Sequence, residues 1–164
     1  MIESVSGQKS DLMTHLYVRT AVAEDISSIV NFNAAMALET EGLLLDEAVL
    51  REGVKAVLSD QALGFYIVCE LEGSARACLM ITYEWSDWRN GLFWWIQSVY
   101  VQKEFRKQGC YKAMYNYLVE LIKTKDKTAG LRLYVDKENS IAQRTYTKLG
   151  MKKTNYILFE KEKV

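Results

Sequence analysis

The stretch Val99-Tyr100-Val101-Gln102-Lys103-Glu104-Phe105-Arg106-Lys107-Gln108-Gly109-Cys110-Tyr111 changes its hydrophobic period part way along, and that change decides the fold. Ile96, Val99 and Val101 belong to a β-rich run. From Tyr111 onward Met114, Tyr115, Leu118 and Ile122 repeat at the spacing of one helix face. The stretch therefore reads as strand, turn, helix. A chain entering a helix presents backbone N–H groups that have no intrahelical partner, and the helix dipole adds partial positive charge there. Such a turn suits a phosphate or pyrophosphate. Gly109 removes a Cβ that would hold a ligand off the backbone, and Lys103, Arg106, Lys107 and Lys112 bring cations close. An ordinary helix start with solvated lysines would look the same, so a second segment has to decide.

Working outward, Phe93–Val101 is the last of three strands. Phe65–Leu71 and Arg76–Tyr83 precede it, joined by Glu72-Gly73 and, beyond Trp85–Trp88, by Asn90-Gly91, a tight-turn pair. Residues 65–101 thus read as an antiparallel meander. Upstream, His15–Thr20 reads as a strand, Ala23-Glu24-Asp25 opens a helix that Gly42 ends, and Asp46 caps a second helix. Leu50, Gly53, Val54, Val57 and Leu58 form that helix's core-facing stripe. Downstream of the helix Gly109–Lys123, Leu131, Leu133 and Val135 mark a strand expected beside the one ending at Val101, through a right-handed crossover. Asn139-Ser140 caps a short helix that Gly150 ends, and Tyr156–Phe159 is expected as a last strand. The order β-α-α-β-β-β-α-β-α-β implies a mixed sheet flanked by helices, an α+β layer fold.

The chain has 164 residues, 49% hydrophobic and 26% charged, enough for one domain with a sizeable core. Residues 1–14 read as a flexible tail and 15–164 as a single domain. Formal net charge is zero, which argues against nucleic acid as a partner. No run reaches the length of a membrane span and the N-terminus lacks a signal-peptide core, so a cytoplasmic protein is expected. Three scattered cysteines and a single histidine, His15, make neither a disulfide framework nor a metal site. No metal is expected, and the lone histidine leaves a Ser-His-Asp triad without support.

Val99–Lys112 resembles the acetyl-CoA-binding stretch of the GNAT superfamily of N-acetyltransferases, Arg/Gln-x-x-Gly-x-Gly/Ala at a helix start. Arg106 and Gly109 match, and Tyr111 departs from the pattern. The second segment, Asn139 to Met151, resembles the family's Asn-x-x-Ala-x-x-x-Tyr-x-x-x-Gly signature at Asn139, Ala142, Tyr146 and Gly150. Arg19-Thr20-Ala21 followed by Glu24-Asp25-Ile26 resembles a common family opening. The resemblance implies a GNAT-like mixed sheet, an antiparallel N-terminal meander with a parallel central pair, in three α/β/α layers.

It also implies roles. The backbone of Val99, Tyr100 and Val101 would pair with the pantetheine arm of acetyl-CoA. Amides of Lys107, Gln108, Gly109, Cys110, Tyr111 and Lys112 would hold the pyrophosphate, with Arg106 nearby. Asn139 would touch the arm, and Tyr146 would approach the sulfur. By spacing alone Tyr146 suits a core aromatic equally well.

Acetyl transfer to an amine needs the neutral amine, about one molecule in 10³ at pH 7 for a pKa near 10.4. It also needs a stabilised oxyanion and a departing thiolate. Tyr146 is the candidate acid for that thiolate. Gln97 stands where relatives carry a Glu base and cannot take a proton, so Glu84 becomes the candidate base. Water relayed by Tyr83, Gln97 or Ser98 is its rival. Trp85, Trp88, Phe93, Trp94 and Trp95 crowd one hairpin. Trp85 and Gln97 are expected at the acceptor pocket, where indoles receive a cationic amine. Core packing competes with that role for Trp94 and Trp95, and contact with a second subunit competes for the others, which makes a homodimer compatible with the hairpin. The implied activity is acetyl transfer from acetyl-CoA to a small-molecule amine in a ternary complex. The alternatives are a non-catalytic acyl-CoA-binding module and an enzyme acting on a protein or peptide amine.

Overall fold

The computed structural model describes residues 15–161. The tail expected over residues 1–14 lies outside the described residues. The elements are β1 (Tyr17–Thr20), α1 (Ile26–Glu41), α2 (Glu47–Ser59), β2 (Phe65–Leu71), β3 (Ser74–Ser86), β4 (Gly91–Val101), α3 (Cys110–Lys123), β5 (Thr128–Arg132) and α4 (Ser140–Lys148). The chain divides after Arg132 into two compact units. The first carries the sheet and α1–α3, and the second carries α4.

The sheet runs β1-β2-β3-β4-β5, antiparallel except for the parallel pair β4–β5. That is the expected meander and parallel pair, a GNAT-like α+β fold. β2 is buried on both faces, as a central strand must be. One face carries Tyr66, Val68 and Cys78 against Ile29, Val30 and Phe32 of α1 and Val54 of α2. The other pleat turns Cys69 toward α3, where its thiol meets that of Cys110, with Met114 and Leu118 fully buried along the same helix. Helices cover both faces at the centre of the sheet, and truncating the fully buried Leu118 would cost about 2–5 kcal/mol.

Local chemistry explains most boundaries. Asp46 caps α2 by accepting hydrogen bonds from the N–H groups of Ala48 and Val49 at 2.8 and 3.1 Å. Glu72 and Gly73, at φ 53° and 72°, close the β2–β3 hairpin as a primed two-residue turn.

Four expectations change. A 3-10 turn over Ala23–Asp25 precedes α1, and Asp25, expected as a helix-start carboxylate, is buried on Arg19. At the β3–β4 turn only Asn90 is left-handed; Gly91 pairs with Ser86, and a Cβ there would sit 2.9 Å from the Lys127 carbonyl oxygen. β5 begins at Thr128 and ends at Arg132, because its ladder to β4 starts at Leu92 and stops at Trp95. Alternation at Leu131, Leu133 and Val135 marks strand-like residues but cannot show where the neighbouring strand gives out. Finally, Tyr156–Phe159 forms no strand among the described residues; its apolar run has no ladder partner there and is exposed.

Candidate active site

β4 carries the site because its pairing is interrupted twice. Between the pairs Cys78–Tyr100 and Met80–Gln97, β4 spends one residue more than β3, a β-bulge with Ser98 left-handed at φ 49°. On the other side, the parallel ladder to β5 ends at Trp95–Arg132. Beyond it, β4 has no strand on that edge among the described residues. The Gln102 N–H donates to the Arg76 carbonyl on β3 at 2.9 Å. Alternation in an antiparallel ladder therefore turns the amide and carbonyl of Val101 to the open edge. The same alternation turns the Tyr100 amide and carbonyl to β3, and its ring stacks on Phe32 at 5.7 Å, so Tyr100, expected at the arm, offers that edge no free group.

The chain then turns through a 3-10 segment, Lys103–Phe105, and enters α3. Lys107 and Gly109 are left-handed, at φ 63° and 91°. Gly109 is the N-cap of α3 and no side chain caps that helix. A Cβ at Gly109 would meet only Leu16 Cδ1 at 3.7 Å, so the glycine answers a conformational need rather than a steric one. Cys110 turns its buried thiol to the Phe105 carbonyl, Gln108 donates to the Glu104 carbonyl at 2.9 Å, and Tyr111 packs on Tyr115 at 6.3 Å. Lys107 and Lys112 remain exposed. Arg106 is committed: Nε donates to the Val101 carbonyl at 2.9 Å, and Nη2 reaches both carboxylate oxygens of Glu39 at 2.7 and 2.6 Å.

Gln97, Thr82, Trp95, Glu84 and Phe93 share one face of the β3–β4 ribbon. Gln97 Nε2 donates to the Thr82 hydroxyl. Glu84 accepts from Trp95 Nε1 and from Arg132 Nη1, both at 2.5 Å, one on each oxygen. Arg132 lies 3.6 Å over the Phe93 ring. The opposite face holds Trp94 in the core against Phe65 and Tyr83 at 5.3 and 5.9 Å. Burial pushes the Tyr83 phenol up. Trp85 and Trp88 are exposed, Trp88 in the turn itself.

In the second unit, the signature residues start and stop α4. Asn139 accepts the Ala142 N–H at 3.0 Å. Gly150, at φ 89°, and Met151 donate to the Thr147 and Tyr146 carbonyls in a Schellman closure. Gln143 ties the helix to the carbonyls of Asp136 and Lys137. Tyr146 is half-buried, and burial pushes its phenol up.

Sequence reasoning missed Glu39, Arg132, Thr82 and the bulge at Ser98. Glu39 lies 67 residues from its partner, and nothing about a serine in a strand announces a positive φ. A groove of about 580 Å³ also opens beside α1, lined by Arg19, Phe32, Arg76, Tyr100 and Gln102 among others. Of the residues expected to touch coenzyme it includes only Tyr100. Among the described residues no cluster of His, Cys, Asp or Glu could hold a metal, and no helix is long and apolar enough to cross a membrane.

An interrupted strand runs into an uncapped, glycine-entered helix within an α+β fold, a geometry suited to an anion. A model of the acetyltransferase (GNAT) family matches residues 31–151, and the chain belongs to that family. The crystal structure of a possible acetyltransferase from Clostridium difficile 630 is 44% identical, with a TM-score of 0.84 over 91% of this chain and 98% of its own. A predicted acetyltransferase from Clostridium acetobutylicum, solved with acetyl-CoA, shares the fold at 19% identity and a TM-score of 0.72, over 90% of this chain and 96% of its own. So does the aminoglycoside N-acetyltransferase AAC(6')-Iy in complex with CoA, at 13% and 0.73, over 92% and 97%. No curated protein sequence matches the chain.

Proposed function

We propose that the protein is an N-acetyltransferase that moves the acetyl group of acetyl-CoA to a primary amine of a small molecule, by direct transfer in a ternary complex. The observation that carries this reading is the open edge of β4 running into the uncapped start of α3. Its groups fit the coenzyme: strand-like N–H and C=O for the amide-bearing arm, clustered amides for the diphosphate, and exposed Lys107 and Lys112 for its charge. Acetyl-CoA supplies an activated thioester carbonyl and a thiolate leaving group.

The chain's own residues do the rest. Backbone of Val99 and Val101 orients the arm, and an N–H near Val99 stabilises the oxyanion. Amides of Lys107 to Lys112 hold the diphosphate, and contact with the arm is the role assigned to Asn139. Tyr146 keeps its proton at neutral pH and donates it to the departing sulfur. Both oxygens of Glu84 are taken by Trp95 and Arg132, so we assign the amine's proton to water relayed by Gln97 and give Glu84 the part of orienting that wall. Trp85, exposed at the same ribbon, is the acceptor-binding indole.

The engagement of both Glu84 oxygens favours a second reading, a non-catalytic acyl-CoA-binding module. Thiol release from acetyl-CoA, measured against a panel of small amines and peptides, separates the two. Turnover on a small amine that falls about 10²–10⁴-fold in Tyr146→Phe, with coenzyme affinity kept, supports the enzyme. Tight coenzyme binding without turnover on any amine supports the module.

A further inference from the structure

Arg106 stands at the first position of the coenzyme-binding stretch, yet its guanidinium is turned to α1. Nη2 binds both oxygens of Glu39, Nε binds the Val101 carbonyl, and the plane lies 5.6 Å over Tyr100, which is itself stacked on Phe32 of α1. Lys103 Nζ also reaches Glu39, at 3.6 Å. One carboxylate on α1 therefore holds two of the three basic side chains of the turn between β4 and α3, Lys103 and Arg106.

We propose that Glu39 is a positioning residue for the coenzyme: acting through Arg106, it fixes the 102–109 turn against the open edge of β4, so that amides and edge present one binding geometry. This inference rests on the reading that the turn holds the diphosphate. It makes a prediction opposite in sign to simple charge counting. A carboxylate beside a polyanion repels it, so by Coulomb's law alone removing Glu39 would tighten coenzyme binding. If Glu39 positions the turn, its removal loosens binding, because a disordered turn must be ordered each time the ligand arrives.

Coenzyme A is titrated calorimetrically into wild type, Glu39→Ala, Glu39→Gln and Glu41→Ala. Glu41 is an exposed residue ending the same helix, and its variant removes the same charge without touching Arg106. Amide hydrogen exchange over residues 102–112 is followed in the coenzyme-free proteins. Glu39→Ala is expected to weaken binding about tenfold, the scale of one charge-assisted hydrogen-bonded pair. It is also expected to speed exchange in the turn. Glu39→Gln, which keeps an acceptor oxygen, falls between it and wild type, and Glu41→Ala behaves as wild type. Equal or tighter binding by Glu39→Ala overturns the proposal, as does weaker binding with exchange unchanged. Should wild type not bind coenzyme A at all, the functional reading above falls, and the clamp is decided by the exchange rates alone.

Discussion

Tyr146 carries its proton at neutral pH, because burial pushes its phenol above the ordinary value of 10.0. A group needed in its protonated form loses activity as pH rises through its pKa. The alkaline limb of kcat assigned to Tyr146 is therefore expected above the usual tyrosine range and absent in Tyr146→Phe, as a pH–rate profile would show. The thiols behave oppositely to reactive cysteines. Burial pushes Cys78 up to about 12, and burial with the neighbouring Cys110 thiol does the same to Cys69. Neither is expected to react with a disulfide reagent at pH 8 in the native protein, and both should react after denaturation. Arg106 and Tyr146 were legible as residues because each sits in a spaced motif. What Arg106 binds was not legible, since its partner is set by how α1 crosses the sheet.

At the scale of elements, α4 has a start and a stop written into its own sequence. Asn139 supplies the capping oxygen and Gly150 the left-handed residue after the last turn. Asn139→Ala is expected to cost about 1 kcal/mol of stability in urea unfolding at neutral pH. β4 is the contrasting case. Its β-branched and aromatic run announced a strand, and the glycine beyond it announced a turn. The extra residue at Ser98 and the end of the ladder at Trp95 depend on which residues β3 and β5 place opposite. The same dependence moved β5 to Thr128–Arg132 and left Tyr156–Phe159 unpaired.

On the scale of the whole molecule, Arg19 joins β1 to β2 and to the turn before α1. It donates to Glu70 at 2.8 and 2.5 Å and to Asp25 at 2.6 and 2.9 Å. Burial alone would raise the Asp25 carboxyl, but the bonds from Arg19 and from the Val22 N–H outweigh it and hold the pKa below the ordinary value. The unfolded chain then takes up a proton more readily than the folded one. This pair contributes stability above the unfolded pKa near 3.9 and loses it as pH falls through the lower folded value. Asp25→Asn is expected to cost about 2–3 kcal/mol at pH 7. Its deficit in urea denaturation should shrink as pH is lowered through that window; a deficit independent of pH would count against an ionic role.

The order of strands and helices as far as α4, the glycine-entered turn at Gly109 and the capped α4 came from the sequence by itself, because period, capping and left-handed backbone are local properties of neighbouring residues. The bulge in β4, the open edge below Trp95, the Glu39–Arg106 clamp and the engagement of Glu84 by Arg132 were decided by tertiary structure alone. Each depends on segments far apart in the chain, 67 residues for Glu39 and Arg106 and 48 for Glu84 and Arg132, and no local rule constrains which partner a strand edge or a charged side chain will meet.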